Sequence, residues 1–471
     1  MRQRLQEWGE FLLTPVDAAS VAVFRIVYGA LVACDAWRFL HHGWVEEYFT
    51  RPTVHFTYPL FGFVHPWPDS WMHGHFWAMA VAALLVSMGL FYRVATVLLF
   101  LLYGYFFLLE QSIYMNHYYL ILLLAFLLIW IPGNRAFALD RLRTRSGSAT
   151  VPRWAVLILR FQLFVVYFYG GIAKLNADWL RGEPMYSLLA QPHPDVPRMA
   201  AYVPPALLAY AIAYAGILID LTVPLLLCFR RTRPIGFVFA ATFHVLNELF
   251  LRIGIFSYLM VGAIAIFLPP DWPRRLYPRH VARPSLGSLA LPVARSRWAP
   301  VLLAALHVYV LAQLLIPLRH WLYPGPVSWT EEGHRFSWHM KLRQKESVLT
   351  IHASDPASGR TWTIDPATDL RPRQQRKLET FPDILLQYVH HHRDRLRGQG
   401  IANPVITVDW LCSLNGRPYQ RVIDPTANLA EVERSWWRPA RWILPLQSEP
   451  SSKLSTISGQ PTDISRSSER E

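Results

Sequence analysis

One lysine stands apart from the other basic residues of this chain. Lys174 is the only lysine in the first 340 residues, where arginine supplies every other permanent positive charge. Arginine stays protonated at physiological pH, whereas a buried lysine can lose its proton. A lysine kept in an arginine-preferring apolar stretch therefore indicates a neutral amine that acts as a base. One alternative stays open at this point, because Asp178 and Trp179 follow closely and Lys174 could snorkel to the membrane surface.

Two histidines are predicted to lie at the same depth as Lys174. His117 begins one apolar segment, Lys174 ends the next, and His244 lies in the outer half of a later one. Ionisable residues inside membrane segments are costly and mark functional sites. A lone histidine on an apolar helix is more often a packing residue, but these three residues at one level predict a site near the outer surface.

Besides Glu248, four more charged residues interrupt the apolar segments. They are Arg25, Asp35, Arg160 and Asp220. Because an unpaired charge is strongly destabilising when buried, we expect them to pair with each other across helices.

No soluble-enzyme signature competes with this interpretation. The chain has no P-loop, GxGxxG, GxSxG or HExxH motif, and its three cysteines have no metal-binding spacing. The run 390–392 is three histidines, but consecutive helical positions point in different directions, so a solvated face is expected rather than a metal site. The formal charge is +14, but the basic residues are not interleaved with aromatic residues as in a nucleic-acid-binding groove. Nucleic acid is therefore excluded as a partner.

The elements that position these residues are predicted to be membrane helices. The chain is 53% hydrophobic and 17% charged, against about 25% charged residues in a soluble domain. This excludes a disordered or purely soluble protein. After a cytoplasmic segment at 1–17, a mainly α polytopic domain is expected over 18–318. Its nine predicted spans are 18–39, 75–91, 94–110, 117–132, 154–175, 205–229, 235–250, 253–269 and 299–318.

The arginines predict the orientation of these spans. With nine spans, the arginine-rich connections after the fourth, sixth and eighth fall on the same side as Arg2 and Arg4. The opposite loops, 40–74 and 176–204, carry few arginines. Positive charge is enriched on the cytoplasmic side of membrane proteins. The N-terminus is therefore expected in the cytoplasm, and everything after about 318 outside.

A small α+β domain is predicted to follow the spans, at 319–446. Strands are expected at 335–344, 347–353 and 361–365, where apolar and polar residues alternate. A helix is expected at 381–397, and the Asn-Gly pair at 415–416 predicts a hairpin between strands at 405–414 and 419–423. The polar tail, 447–471, is expected to be disordered.

Several motifs resemble those of one enzyme family. The stretch FVVYFYGGIAKLNADWLRG at 164–182 resembles the core motif of vitamin K-dependent gamma-carboxylases. Other similar motifs are NHYY at 116–119, FH at 243–244, GIFSY at 254–258, SWT at 328–330, FSW at 336–338, IDP at 423–425 and PVDAASVAVFR at 15–25. They keep the family's order from about 15 to 446, so the chain looks like a short, bacterial-type homologue with an HTTM domain.

The resemblance implies a chemistry. Family members use reduced vitamin K with the co-substrates O2 and CO2 and no metal. The lysine matching Lys174 deprotonates the hydroquinone, oxygen adds, and the resulting base removes the γ-proton of a glutamate, which CO2 then captures. The histidine matching His117 stabilises the intermediate, and Asn116 supports it. His244 and Tyr118 are the implied cofactor-binding residues, and Trp338, Ser337 and Trp329 the implied substrate-binding residues.

Departures from the family pattern keep two alternatives open. Ala173 precedes Lys174 where animal members have two adjacent lysines, and the large C-terminal region that holds their substrates has no counterpart. The cysteines offer no match to the animal disulfide. The protein could therefore be a hydroquinone epoxidase without carboxylation, or a non-catalytic quinone- or lipid-binding protein. The expected partners are membrane lipid, a quinone and a glutamate-containing protein or peptide on the outer side.

Overall fold

Helices form most of the chain up to residue 322, and a small sheet follows them. The computed structural model describes residues 2–144, 148–190, 203–251, 253–276 and 298–447. The predicted tail therefore lies almost entirely outside the described residues. The helices are α1 (Arg2–Leu13), α2 (Ala19–His41), α3 (Asp69–Met88), α4 (Tyr92–Leu109), α5 (Asn116–Trp130), α6 (Leu139–Thr144), α7 (Arg153–Ala173), α8 (Ala177–Leu180), α9 (Met185–Ala190), α10 (Pro205–Cys228), α11 (Arg233–Leu251), α12 (Ile255–Ala263), α13 (Trp272–Arg275), α14 (Ala299–Leu315), α15 (Val327–Thr330), α16 (Pro372–Leu378) and α17 (Pro382–Gly398).

Every predicted span coincides with a helix. Among the described residues, six helices are long and apolar enough to cross a membrane by length and composition. They are α2, α3, α4, α7, α10 and α14, the last extended by a 3-10 segment to Leu322. The apolar helix α5 and the stretch Ile255–Phe267 are shorter. The mainly α membrane fold is therefore confirmed, and the count of nine spans stays a prediction.

Two of the three arginine-rich connections meet the N-terminal segment at one end of the helical bundle. A short β1 (Pro15–Asp17) pairs antiparallel with β2 (Thr150–Pro152), which joins the N-terminal segment to the connection before α7. Arg274, in the connection after α12, binds Asp17 at 2.8 Å. These segments thus share one side, as the charge pattern predicts.

The charged residues inside the bundle do not pair as the sequence analysis predicts. Asp35 instead binds Arg38 at 3.2 Å, one turn along its own helix. The two arginines bind backbone carbonyls: Arg25 donates to Val86, Ser87 and Phe137, and Arg160 donates to Ile266 and Leu268. Several of these carbonyls lie at helix ends, where the last turn leaves acceptors without a helical partner. An arginine can therefore be satisfied inside the bundle without a carboxylate.

The C-terminal region, residues 323–447, contains a four-stranded antiparallel sheet with strand order β4-β3-β5-β6. The strands are β3 (Lys345–Asp355), β4 (Arg360–Ile364), β5 (Val405–Leu414) and β6 (Gln420–Arg421). The predicted hairpin is confirmed, since Asn415 and Gly416 adopt φ angles of 53° and 72° that suit a tight turn. The helix predicted at 381–397 is confirmed as α17, and its apolar face packs on this sheet.

The strand predicted at 335–344 is wrong. The segment is irregular, and Phe336, Trp338 and Lys341 have φ angles of 68°, 58° and 56°. A strand requires negative φ at each of these positions. The alternation of apolar and polar residues arises because the segment lies between two packed bodies. Phe336 and Trp338 face the helical bundle, and other residues face the C-terminal region.

Candidate active site

Lys174 pairs with Asp220 inside the helical bundle. It follows the last residue of α7, and its Nζ lies 2.6 Å from Oδ2 of Asp220 on α10. The ammonium also donates to the Gly170 carbonyl at 3.1 Å and lies 5.3 Å from the centre of the Trp179 ring. Lys174 is 6% exposed and Asp220 4%. The snorkelling alternative is therefore wrong, and Asp178 binds Arg417 instead.

Three glycines make room for this pair. A Cβ on Gly170 would meet Met340 Cε at 3.0 Å and Asp220 Oδ2 at 3.3 Å. A Cβ on Gly171 would meet the Leu221 side chain at 2.6 Å, and one on Gly216 would lie 3.6 Å from Lys174 Cε. The sequence pattern Gly-Gly before Lys174 thus allows α7 and α10 to approach closely enough for the ion pair.

A mostly apolar cavity of about 90 Å³ opens beside the pair. His244 lies on its wall and is 1% exposed, which brings two of the predicted site residues together. The Tyr167 hydroxyl and His244 Nε2 share a hydrogen bond of 2.6 Å. Among the described residues, His244 Nδ1 has no hydrogen-bond partner. The helices provide most of the wall, and Met340 and Lys341 of the C-terminal region complete it.

His117 approaches this cavity through one aromatic ring. Phe256, on the cavity wall, lies between the two histidines, with its ring centre 6.0 Å from His117 and 5.9 Å from His244. His117 is itself 9% exposed. The three candidates predicted at one depth therefore form one neighbourhood, in which His117 lies behind Phe256.

Asn116 and Tyr118 lie outside the cavity wall. The Asn116 amide donates to the His339 carbonyl at 2.9 Å and accepts from the Tyr114 hydroxyl at 3.0 Å. Asn116 thus holds the segment that carries Met340 and Lys341. Tyr118 is buried, and its ring packs 5.4 Å from Phe106.

The three predicted substrate residues are in different places. Trp338 packs on Tyr119 of the helical bundle, with ring centres 5.2 Å apart, and has no exposed surface. The Ser337 hydroxyl donates to the Gly333 carbonyl. Trp329 belongs to the hydrophobic core of the C-terminal region and donates to the Leu444 carbonyl at 2.8 Å. Only Trp338 therefore contacts the bundle directly.

A group of buried and half-buried cations was missed by the sequence analysis. Around the Phe381 ring lie Arg335, Arg343 and Lys377, with their charged atoms 4.9, 5.1 and 5.1 Å from its centre. Lys345 binds Glu331 at 2.9 Å, and Arg335 binds Asp383 at 2.6 Å. We call these four basic and two acidic residues the cation cluster. The three charges at 341, 343 and 345, in an otherwise lysine-poor chain, were the available signal.

Two neutral histidines accompany the cation cluster. Burial, together with the nearby Arg343, lowers the pKa of His334 well below its usual value. Burial and His320 lower the pKa of His339 to about 3. Neither ring therefore carries a charge at neutral pH, and both nitrogens of His339 lack partners among the described residues. The charge of the cluster thus comes from its four basic and two acidic residues alone.

The predicted histidine face is wrong in part. His392 is buried and pairs with Asp369 at 2.9 Å, while His390 binds the Val432 carbonyl at 2.8 Å. These two rings support α17 and its neighbours rather than facing solvent.

Comparisons with known protein families match both parts of this arrangement. The HTTM domain family matches residues 13–272. The lumenal domain of vitamin K-dependent gamma-carboxylases matches residues 298–449. The chain belongs to the vitamin K-dependent gamma-carboxylase family. No solved structure matches it.

Family membership gives the cavity a context. Lys174, Asp220 and His244 lie in the part matched by the HTTM domain, whereas Met340 and Lys341 lie in the part matched by the lumenal domain. The cavity is thus built where the two parts meet. The protein is a carboxylase-like, multi-pass membrane protein, and its family implies vitamin K as the cofactor.

Proposed function

We propose that the protein oxidises vitamin K hydroquinone to the epoxide and couples this reaction to γ-carboxylation of glutamate, with Lys174 as the base. The observation that carries the proposal is the buried contact of Lys174 and Asp220 on the wall of an apolar cavity. When bound, reduced vitamin K supplies, with O2, the strong base that removes the γ-proton before CO2 adds.

The residues of the cavity fit a reduced quinone chemically. Apolar side chains suit fused rings, while Lys174 Nζ and the unpartnered His244 Nδ1 suit ring hydroxyls. The cavity of about 90 Å³ is smaller than the roughly 300 Å³ at the lower end of typical ligand sites. Side chains of the wall must therefore move for two rings to enter.

The Lys174–Asp220 pair can accept one proton whichever atom carries the proton already present. In the ion pair, Nζ passes its proton to Asp220 across the 2.6 Å contact and then takes the incoming proton itself. As a neutral pair, it accepts directly at Nζ. In both cases the product is an ammonium beside a carboxylic acid. An arginine at this position could neither pass a proton to Asp220 nor accept one itself, because guanidinium does not release its proton. This supports a lysine acting together with Asp220.

The apolar wall also protects the base chemistry from water. Phe243, Phe256 and Met260 cover the cavity from the bundle side. Exclusion of water prevents protonation of reactive groups and strengthens the electrostatic interactions of Lys174.

The cation cluster supports a carboxylate-bearing substrate. A cleft of about 820 Å³ adjoins it, with Arg319, Arg335 and Arg434 among its lining residues. Guanidinium groups recognise carboxylates through paired hydrogen bonds. We therefore place a glutamate-containing peptide in this cleft, on the C-terminal side of the bundle. The arginine-rich end with Asp17 and Arg274 then faces the cytoplasm, and the C-terminal region is extracytoplasmic.

The proposal is tested with purified protein in lipid, supplied with vitamin K hydroquinone, O2, labelled CO2 and a glutamate peptide. We expect epoxide and labelled peptide from the parent protein, and neither from Lys174→Ala or Lys174→Arg. Epoxide without label would identify an epoxidase that does not carboxylate. Full activity in either variant, or no epoxide from well-folded parent protein, would contradict the proposal and favour a binding protein.

A further inference from the structure

A second lysine reaches the cavity from the C-terminal region. Lys341 lies on the same wall as Lys174, Asp220 and His244. Its φ angle of 56° is unusual for a residue with a side chain. Such a conformation costs about 1–2 kcal/mol and persists only where the surroundings impose it. The turn at Lys341 therefore reflects packing that carries this stretch of chain to the cavity.

The neighbouring residues fix this placement. Met340 contacts the bundle so closely that a Cβ on Gly170 would lie 3.0 Å from its Cε. On the N-terminal side, the His339 carbonyl accepts a hydrogen bond from Asn116 at 2.9 Å. On the C-terminal side, Arg343 forms an ion pair with Glu331. Lys341 is thus held between two anchors rather than on a free loop.

The two lysines of the cavity differ in their partners. Lys174 has Asp220 as its counter-ion, so this pair adds no net charge. Within the described part of the chain, no carboxylate forms an ion pair with Lys341, and Asp220 is the only acidic residue on the cavity wall. Lys341 lines the wall while remaining an exposed residue, and no carboxylate on that wall balances its charge.

We propose that Lys341 makes the cavity select the reduced, ionised ring over the neutral quinone. This inference rests on the proposed function. Transfer of a hydroxyl proton to the Lys174–Asp220 pair leaves the electron pair, and one negative charge, on the ring oxygen. Lys341 is an exposed residue that also lines this wall, and its ammonium balances the charge on the ring oxygen. The oxidised quinone carries no charge, so Lys341 gives it no comparable stabilisation.

The test compares binding of two small probes without turnover. The purified protein in nanodiscs is titrated anaerobically with 1,4-naphthohydroquinone and, separately, with 1,4-naphthoquinone. We expect Lys341→Met to weaken hydroquinone binding by about tenfold or more, in line with loss of one charged hydrogen bond, and to leave quinone binding unchanged. Lys341→Arg, which keeps the charge, should retain most of the selectivity. Arg360→Met, which removes one exposed charge outside the cavity wall, serves as the matched control.

The possible outcomes separate the two proposals. Equal weakening of both probes in Lys341→Met would mean a packing role and would overturn the inference, as would unchanged binding of both. If Lys174-dependent epoxide forms in the parent protein but Lys341→Met keeps the parental selectivity, only the inference fails. If the parent protein binds neither probe and forms no epoxide, the proposed function fails and the inference with it.

Discussion

Asp220 Oδ2 lies 2.6 Å from Lys174 Nζ, although 46 residues separate them in the chain. The proposed base is therefore a pair of residues on two helices. Asp220→Asn keeps the shape of the side chain but removes the carboxylate that receives the proton from Lys174. We expect epoxide formation to fall by roughly 100-fold or more, as for loss of a general base. The measurement is the initial rate of epoxide formation per folded protein.

Asp178→Asn is the matched control for this variant. It breaks the ion pair with Arg417, and both residues lie outside the cavity wall. We expect it to keep most of the epoxidation rate. If Asp220→Asn keeps the parental rate as well, the contact with Lys174 serves folding alone.

Trp338→Ala is expected to lower glutamate carboxylation more than epoxide formation. The indole packs on Tyr119 and fixes the segment between the cation cluster and the cavity, so its loss misplaces the peptide substrate first. Both products are measured in one reaction. Trp329→Ala removes the same ring from the core of the C-terminal region, at a cost of about 3–5 kcal/mol, and should lower both products together. Equal losses in Trp338→Ala would assign that residue to folding too.

Two helical glycines give a matched test of the helix packing. A Cβ on Gly29 would lie 2.6 Å from the Ala83 carbonyl oxygen and 2.8 Å from Ser87 Cα, both of which are backbone atoms. Gly29→Ala should therefore destabilise the contact of α2 with α3 by about 1–3 kcal/mol. Gly74→Ala meets no atom within 4 Å and should be neutral or stabilise by up to about 1 kcal/mol. Thermal unfolding in detergent measures both, and equal shifts would contradict the packing described.

Lys377 predicts a pH dependence of stability. Burial and the neighbouring Arg373, Arg343 and Arg335 lower its pKa to about 7, against an ordinary value of 10.5. Between these values the unfolded chain binds more protons than the folded one, so stability rises with pH. Below about pH 7 Lys377 is protonated in both the folded and the unfolded chain, so the full free-energy cost of burying its charge applies. Lys377→Met should thus raise Tm more at pH 6 than at pH 9, and Lys377→Arg should lower Tm most at pH 9. Shifts of equal size at both pH values would contradict this assignment.

The helices of the membrane part were predictable because hydrophobicity alone specifies them. The partners of the charged residues were not. Arg25 and Arg160 bind carbonyls whose positions depend on where distant helices end, and no residue type marks a free carbonyl. The Lys174–Asp220 contact had one visible signal, the Gly-Gly pair at 170–171 that lets two helices approach.

In the C-terminal region, the alternation of apolar and polar residues at 335–344 does not correspond to a strand. The alternation at 335–344 is the same as that of β3, yet only β3 has a neighbouring strand. Residues Phe336 and Trp338 alternate because the bundle takes one side of the chain. Alternation of apolar and polar residues indicates that the two sides of a segment face different environments. Whether the segment forms a strand depends on a neighbouring strand that can hydrogen-bond to it.

The packing of Phe336 and Trp338 on the helices has a consequence for dissecting the molecule. Both aromatic side chains bury their surface against the bundle, although they belong to the C-terminal region. If that region were released by proteolysis, this surface would face water. The fragment would need detergent or a new partner to stay monomeric. The boundary between the two matched family models therefore does not separate two parts that are soluble on their own.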